Sequence, residues 1–344
     1  KETFTGSVTS ISEKELKLFK GQNVIQTLKT IDPVINISVN NLAGSDPNVL
    51  PEMSIRGNSS LGSSLDEIEM GAQSALNTPL IIMDGFEISL EKLMDYNDED
   101  IASMNILKDA SATAIYGSRG ANGVIVMTSK APEAGRIKVY FKAGLNLEMP
   151  DLTSYNLMNA KEKLQLEYEN GVYDYKYDMA TDVVFKELYH ENLKNVNRGV
   201  DTYWIGQPIR VGVGQRYNLS LTGGDNIFRW RTSLGYNNIS GAMKGSDRNN
   251  FNGTIDLSYT HKNLIFNNQT SITTNKAINS KYGSFASYAQ MNPYWPIYDD
   301  NGELIKSYVL PGVGVTSEIG NPLYNAQLNT YNNSNYTQIV NNFS

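Results

Sequence analysis

From Arg136 onward the chain alternates. Ile137, Val139, Phe141, Ala143, Leu145 and Leu147 interleave with Lys138, Tyr140, Lys142, Gly144, Asn146 and Glu148, which gives an extended strand one apolar and one polar face. A strand that crosses lipid needs about 9–11 residues, and this stretch is long enough. The period returns at Tyr217–Thr222, Phe228–Tyr236 and Phe251–Tyr259. It is weaker at Leu264–Thr274, where Asn268 and Thr270 share a face with Leu264 and Phe266, and a sixth strand is read at Tyr336–Phe343. Alternation alone fits a soluble sandwich as well as a membrane wall. The connections separate the two. Long links (Met149 to about Gly214, Asn237–Asn250, about Asn275 to Asn335) take turns with short ones (Gly223–Ile227, His261–Asn263). A barrel in an outer membrane sorts its loops in this way, long outside and short inside; a sandwich has no reason to.

Composition narrows the function classes. A formal charge of −7 argues against nucleic acid as a partner. There is no cysteine and there are two histidines, which excludes disulfide scaffolds, thiolate metal sites and cysteine nucleophiles. No apolar run reaches the length of about 18 residues that a membrane helix requires. Tyrosine is abundant, 21 against 10 Phe and 3 Trp, which suits sheets with one apolar and one wet face. Length alone suggests two domains. The chain opens at Lys1 with no signal peptide, so a targeting segment is expected to be cleaved or to lie outside this sequence.

The first third reads differently. Gly6–Ile11 is a short strand, and Ser12-Glu-Lys-Glu15 fits a capping box. A helix over about Gln22–Thr30 gathers Val24, Ile25, Leu28 and Ile31 on one face, and Pro33 ends it. Strands follow at Val34–Val39 and Glu52–Arg56. Pro79–Met83 is a continuous apolar run that Asp84-Gly85 turns back into Phe86–Ile88. Ile101–Leu107 is another strand, followed by an Ala/Ser helix over Asp109–Tyr116. Gly117, Gly120 and Gly123 punctuate a tight return into Val124–Thr128. These small elements make one compact α+β domain.

Three blocks carry a resemblance: Arg56-Gly57, then Pro79–Gly85, then the ordered run from Leu107 to Lys130 with Lys108, Asp109, Tyr116, Gly117, Arg119 and Gly123. Together they resemble the plug of a TonB-dependent outer-membrane transporter, and the last block is similar to the signature of the SusC/RagA branch found in Bacteroidota. The resemblance implies a plug over residues 1–135 and the first five or six antiparallel barrel strands over 136–344. The roughly 210 residues after the plug cannot supply the about 22 strands of a plugged transporter at about 10 residues each, so the barrel is partial here.

What the resemblance further implies is active import of an oligosaccharide or peptide across the outer membrane of a Gram-negative bacterium. A SusD-like surface lipoprotein would act as lid. A TonB complex would pull on a segment expected upstream of Thr5–Val8, outside this chain. The polar segment Asn58–Thr78 is longer than usual for the family and is expected to contact substrate or lid.

No catalytic constellation, metal site or cofactor site emerges. Asp84, Asp100 and Asp109 are candidate carboxylates, but nothing pairs them as acid and base. Asp84 is explained by its turn and Asp109 by a helix cap. Arg56, Arg119 and Lys130 can pair with these acids or face the barrel wall, where a buried ion pair would hold the plug. Gly212-Val-Gly214 lacks the third glycine and the helix of a phosphate loop, and Asp299–Gly302 reads as a turn without calcium-ligand spacing. The outer segments contain a helix over Asn156–Glu169 and the aromatics Tyr173, Tyr175, Tyr177, Tyr203-Trp204 and Tyr294-Trp295. Such rings more often pack loops together or sit in an interfacial belt. Tyr173, Tyr175, Trp204, Tyr294 and Trp295 are the candidates for substrate contact. Two rival classes remain: a soluble or surface glycan-binding module or adhesin, and a surface glycosidase, which needs two carboxylates about 5–9.5 Å apart.

Overall fold

The structure, a computed structural model, describes residues 8–16, 24–38, 46–55, 78–96, 98–109, 113–312 and 316–344. Arg56, Gly57 and the segment 58–77 lie outside the described residues. The first sheet has five strands in the order β1 (Val8–Ser12), β6 (Ile101–Leu107), β7 (Val124–Ser129), β4 (Leu80–Met83) and β5 (Phe86–Glu87). β4 and β7 run parallel and the other neighbours antiparallel. A separate hairpin joins β2 (Ile35–Ser38) to β3 (Glu52–Ile55).

Helix α1 (Glu13–Leu16) starts where Glu15 accepts from both the Ser12 amide and the Ser12 hydroxyl, each at 2.8 Å. Helix α2 (Val24–Ile31) buries Val24, Ile25 and Leu28. Helix α3 (Leu90–Asp95), capped by the Ser89 hydroxyl on the Lys92 amide, buries Leu90 and Leu93. Both helices and the β2–β3 hairpin close one core with Ile101, Met104 and Ile125. The β4–β5 turn has φ of +50° at Asp84 and +87° at Gly85, the paired left-handed residues of a type I′ hairpin. The helix expected over Asp109–Tyr116 is described from Thr113. It runs as 3₁₀ turns over Ala114–Gly120, kinked at Gly117.

The second sheet is a six-stranded antiparallel meander: β8 (Gly135–Glu148), β9 (Gly212–Gly224), β10 (Phe228–Ser240), β11 (Asp247–His261), β12 (Leu264–Ile278) and β15 (Asn333–Phe343). Its strands outrun their sequence-based bounds at one end or both. The link expected over Asn237–Asn250 therefore shrinks to 241–246, still longer than the turns at 225–227 and 262–263 on the other side. Gly212 and Gly214 are simply the start of β9. The weak strand at Leu264 is complete, because β15 satisfies its outward polar groups: Asn268 donates to Asn341 at 2.9 Å, and Asn341 to Thr270 at 2.7 Å.

Register sorts the two faces. Phe141, Leu219, Leu234, Gly253, Ile272 and Ile339 form one lateral row across all six strands, and its large side chains in β8, β10, β12 and β15 are exposed. Aromatic groups flank this band. Tyr217, Tyr236 and Phe251 lie on one side, and Phe228, Tyr259, Phe266 and Phe343 on the other. Phe228 and Tyr236 are about 26 Å apart along the strand at ~3.3 Å per residue, or about 20 Å in height at a barrel tilt of about 40°. That spacing suits the hydrocarbon band of an outer membrane, with an aromatic girdle at each interface.

The long connections fold as well. Residues 149–211 carry α4 (Ala160–Glu169), with an Asn159–Glu162 capping box, and the unforeseen α5 (Met179–Asn197). Between β12 and β15 lie α6 (Phe285–Ala289), the hairpin β13 (Ser307–Pro311) to β14 (Thr316–Gly320), and α7 (Pro322–Gln327).

Candidate functional site: the contact between the two sheets

The polar face of the six-stranded wall meets the first domain through charges. Helix α3 turns Leu90 and Leu93 into its own core and presents Asp95 to the wall. There Arg248 grips the carboxylate with both arms, Nε to Oδ1 at 2.9 Å and Nη2 to Oδ2 at 2.6 Å. The Tyr336 hydroxyl donates to the same carboxylate at 3.1 Å, and Asn252 donates to the Asp95 carbonyl at 2.7 Å. The next turn, Asp98–Asp100, supplies three more acids. Asp100 takes Arg231 Nη2 at 2.6 Å and the Ser233 hydroxyl at 3.0 Å. Lys142 reaches Glu99 at 2.7 Å and Asp98 at 3.3 Å.

Arg231 and Arg248 are 6% and 3% exposed, and their Asp partners 8% and 6%. Such pairs hold position only when geometry and extra hydrogen bonds offset desolvation, and both have them. Arg231 also donates to the Lys130 carbonyl at 3.1 Å and to Ser220 at 3.3 Å. A more peripheral contact comes from Gln269, which donates to Asp84 at 3.3 Å and to Ser129 at 3.2 Å. At the outer end Asn48 donates to the Ile278 carbonyl at 2.9 Å, and Pro47 abuts Gly241.

The expected ion pairing is therefore present with its polarity reversed: the acids sit on the first domain and the arginines on the wall. Arg119 stays within its own domain in an exposed pair with Glu87, a contact of little energetic weight. Lys130 pairs with Glu13 at 3.0 Å. Lys108, itself half-buried, pairs with the buried Asp32 at 2.6 Å, which the sequence did not reveal. Burial pushes the Asp32 carboxyl up, but its hydrogen bonds to Lys108, Thr9 and the Val34 amide prevail and hold it below its ordinary value. Asp84 keeps its place in the turn and accepts the Ser129 amide at 2.8 Å. Asp109 heads the Thr113 turn through its carbonyl at 2.9 Å. Tyr116 packs on Ile82, Leu107 and Val124. Gly123 (φ +91°) lies against Ile55, closer than a side chain would allow.

The aromatic candidates converge in the outer segments. Tyr173, Trp204, Tyr294 and Trp295 are each at most 3% exposed and share one cluster with Tyr288 and Tyr308. Trp295 stacks on Tyr308 at 4.6 Å, and Glu167 accepts from Tyr294 at 2.8 Å and Tyr173 at 3.1 Å. Burial, outweighing the Tyr294 and Asn192 hydrogen bonds, pushes the Tyr173 hydroxyl up to about 12. Tyr175 is half-buried, edge-on to Tyr177 and Phe185. Asp299 accepts the Asn301 and Glu303 amides in a turn.

A small α+β domain docked by ion pairs on the polar face of a lipid-facing antiparallel wall defines the class: a plugged outer-membrane barrel. Residues 1–124 match the TonB-dependent Receptor Plug Domain family. The chain belongs to the TonB-dependent receptors, in the SusC/RagA-type branch, as a plug followed by the start of the barrel. It is 30% identical over 310 residues to TonB-dependent receptor SusC of Bacteroides thetaiotaomicron, covering 87% of this chain and 28% of that protein. It is 29% identical over 264 residues to TonB-dependent receptor P3 of Formosa agariphila, covering 76% of this chain and 22% of that protein. The chain thus spans less than a third of these relatives. In fold it is similar to the RagAB peptide transporter, with a TM-score of 0.68 at 20% identity over 98% of this chain and 39% of that one. Family members are receptors and transporters of Gram-negative outer membranes, not enzymes.

Proposed function

We propose that this chain, as plug (1–135) and first barrel strands (136–344) of a longer protein, works in TonB-dependent import of an oligosaccharide or peptide across the outer membrane. A SusD-like lipoprotein caps the outer face, and a TonB complex acts on a segment upstream of the plug. The observation that carries this reading is the polar seat of the plug. A plug that must move needs contacts that water can replace, and Asp95–Arg248, Asp100–Arg231 and Lys142–Glu99 are such contacts. The exposed apolar band with its two girdles argues against a soluble module.

The test joins plug to wall. This chain has no cysteine; with any cysteine elsewhere in the full-length protein replaced by serine, Ser129→Cys with Gln269→Cys, whose native side chains meet at 3.2 Å, is bridged by a short cleavable bis-maleimide. Uptake is expected to stop on bridging and resume on cleavage. Continued uptake with the bridge intact overturns the reading.

A further inference from the structure

The contact between plug and wall holds one acid on the wrong side. Asp256 is on the inward face of β11, 8% exposed, directly across from Arg231 of β10 in the antiparallel register. Side chains at such positions start about 5 Å apart, close enough for opposite charges to pair. No ion pair joins these two among the described residues. Arg231 is turned to the plug instead: Nη2 donates to Asp100 at 2.6 Å, Nη1 to the Lys130 carbonyl at 3.1 Å, and Nε to Ser220 at 3.3 Å.

Asp256 is enclosed by acids. From the plug, Asp100 and Asp84 both act on it; from the wall, Arg231 is its cation and Gln269, across from it on β12, its neutral neighbour. Gln269 itself donates to Asp84. Tyr96, at the end of α3, stands among the same Asp100, Asp84, Asp256 and Arg231. Burial and then the three acids raise its hydroxyl well above its ordinary value, so it adds no charge. Lys130, whose carbonyl Arg231 holds, keeps its ammonium on Glu13 at 3.0 Å. With the plug docked, three carboxylates share one guanidinium.

Like charges gathered where water is scarce repel, and an acid denied its counter-ion there costs free energy. Departure of the plug takes Asp84 and Asp100 away together and frees Nη2 of Arg231. The wall then keeps one guanidinium and one carboxylate at directly opposed positions, a favourable cross-strand pair. We propose that Asp256 is a release residue: crowded by plug acids while the plug is docked, it takes Arg231 over from Asp100 as the plug leaves. The exchange spares Arg231 the uncompensated state that makes breaking a buried pair expensive. The proposal rests on the import reading only for the use of such a movement. Docking is measured without TonB, substrate or uptake, so the two can fail separately.

The test reads docking in the full-length protein as the urea concentration at which a planar bilayer begins to conduct, since a barrel without its plug passes ions. Asp256→Asn keeps the shape of the side chain but removes the charge that would receive Arg231. It should strengthen docking about two- to fivefold, the worth of a hydrated cross-strand ion pair, and so raise the midpoint, whereas loss of an ordinary interface carboxylate lowers it. Arg231→Met tells exchange from simple relief of repulsion. In the parent it removes a docked pair and an undocked pair together; with Asp256→Asn in place it removes only the docked one, so the drop in midpoint should be larger there. Heat-modifiability on gels establishes that the barrels are folded, and Asp256→Ser serves in the same comparisons should the Asn variant not assemble. A midpoint that the Asp256 variant lowers or leaves unchanged overturns the proposal. So does an Arg231→Met drop in that background that is equal to or smaller than the drop in the parent.

Discussion

Asp95→Asn removes one charge from the most enclosed contact between plug and wall. Arg248 would then stand 3% exposed without its bidentate partner. Removing one member of a buried pair costs about 3–5 kcal/mol, because the remaining charge is left uncompensated. Glu91, 3.3 Å from Arg248 and 37% exposed, survives the change and offsets a little of it, screened by water. The expected cost is therefore near the lower bound, about 3 kcal/mol, or roughly a hundredfold in the docked-to-undocked ratio of the plug. Arg248→Met should cost about as much by itself. The double variant takes both charges out of the interface and should recover most of the loss.

A barrel whose plug has left conducts ions, so the urea concentration at which conductance appears in a planar bilayer reports docking in the full-length protein. Each single variant should lower that midpoint, and the double variant should return toward the parent. An unchanged midpoint in Asp95→Asn, or fully additive losses in the double variant, would refute the reasoning.

Other outcomes follow from the same structure. The Asp32 carboxyl is held below its ordinary value near 3.8. It therefore stabilises the plug fully above that pH and progressively less as pH falls through the lower folded value; chemical denaturation followed from about pH 5 down to about pH 2 should show this loss, and Asp32→Asn should abolish it. Gly224 has φ of +133°, and a Cβ there would press on the Phe228 carbonyl and lie 2.7 Å from the Arg229 Cα. Gly224→Ala should thus reduce the heat-modifiable, folded fraction of the barrel on gels. Tyr308→Ala empties the stack on Trp295 at about 3–5 kcal/mol. Hydrogen exchange should rise in 150–211 and 279–332 while β8–β12 stay protected.

How much of this was legible depends on whether a pattern is local. The Asp84-Gly85 hairpin, the α2 stripe and the wall strands were readable, because a two-residue turn and a fixed period are properties of adjacent residues. Helix α5 was missed although Asp178 caps it on Thr181 and Gly199 follows with φ of +85°. Its stripe of Phe185, Leu188, Tyr189, Leu193 and Val196 packs inward, but Asn192 is buried within it and Val183 and Val184 are exposed beside it, which blurs the period. The girdles were missed for a different reason. Each aromatic is placed by its own strand, and only register aligns Tyr217 with Tyr236 and Phe251. The ion pairs were the hardest. Period two places Arg231 on the inward face, but it leaves Arg248 in the link read over Asn237–Asn250, and nothing in it names Asp100 and Asp95, more than a hundred residues earlier. The aromatic candidates were named for substrate contact, but sequence could not show that four of the five are buried or that Tyr203, beside them, keeps an open ring.

The placement of the charges bears on how the plug can move. Asp95, Asp98, Glu99 and Asp100 occupy one helix end and the turn after it, so a single displacement of that segment breaks all three cationic contacts together. The core residues between them and the rest of the plug, Leu93 and Ile101, are fully buried within the plug itself, not against the wall. Undocking therefore exposes carboxylates and guanidinium groups that water solvates well, whereas unfolding would expose apolar surface at about 25 cal/mol per Å². The wall arginine is also supported when the plug leaves: Arg231 keeps Ser220 on β9 and lies in an inward row with Thr222, Asp256 and Gln269. A socket that retains its shape and a plug whose core faces away from it favour displacement as a body over unfolding in place. On that argument, a bridge within the plug that staples α3 to β6 should leave uptake intact, while the Ser129–Gln269 bridge to the wall stops it. Loss of uptake with both bridges would mean that the plug has to unfold.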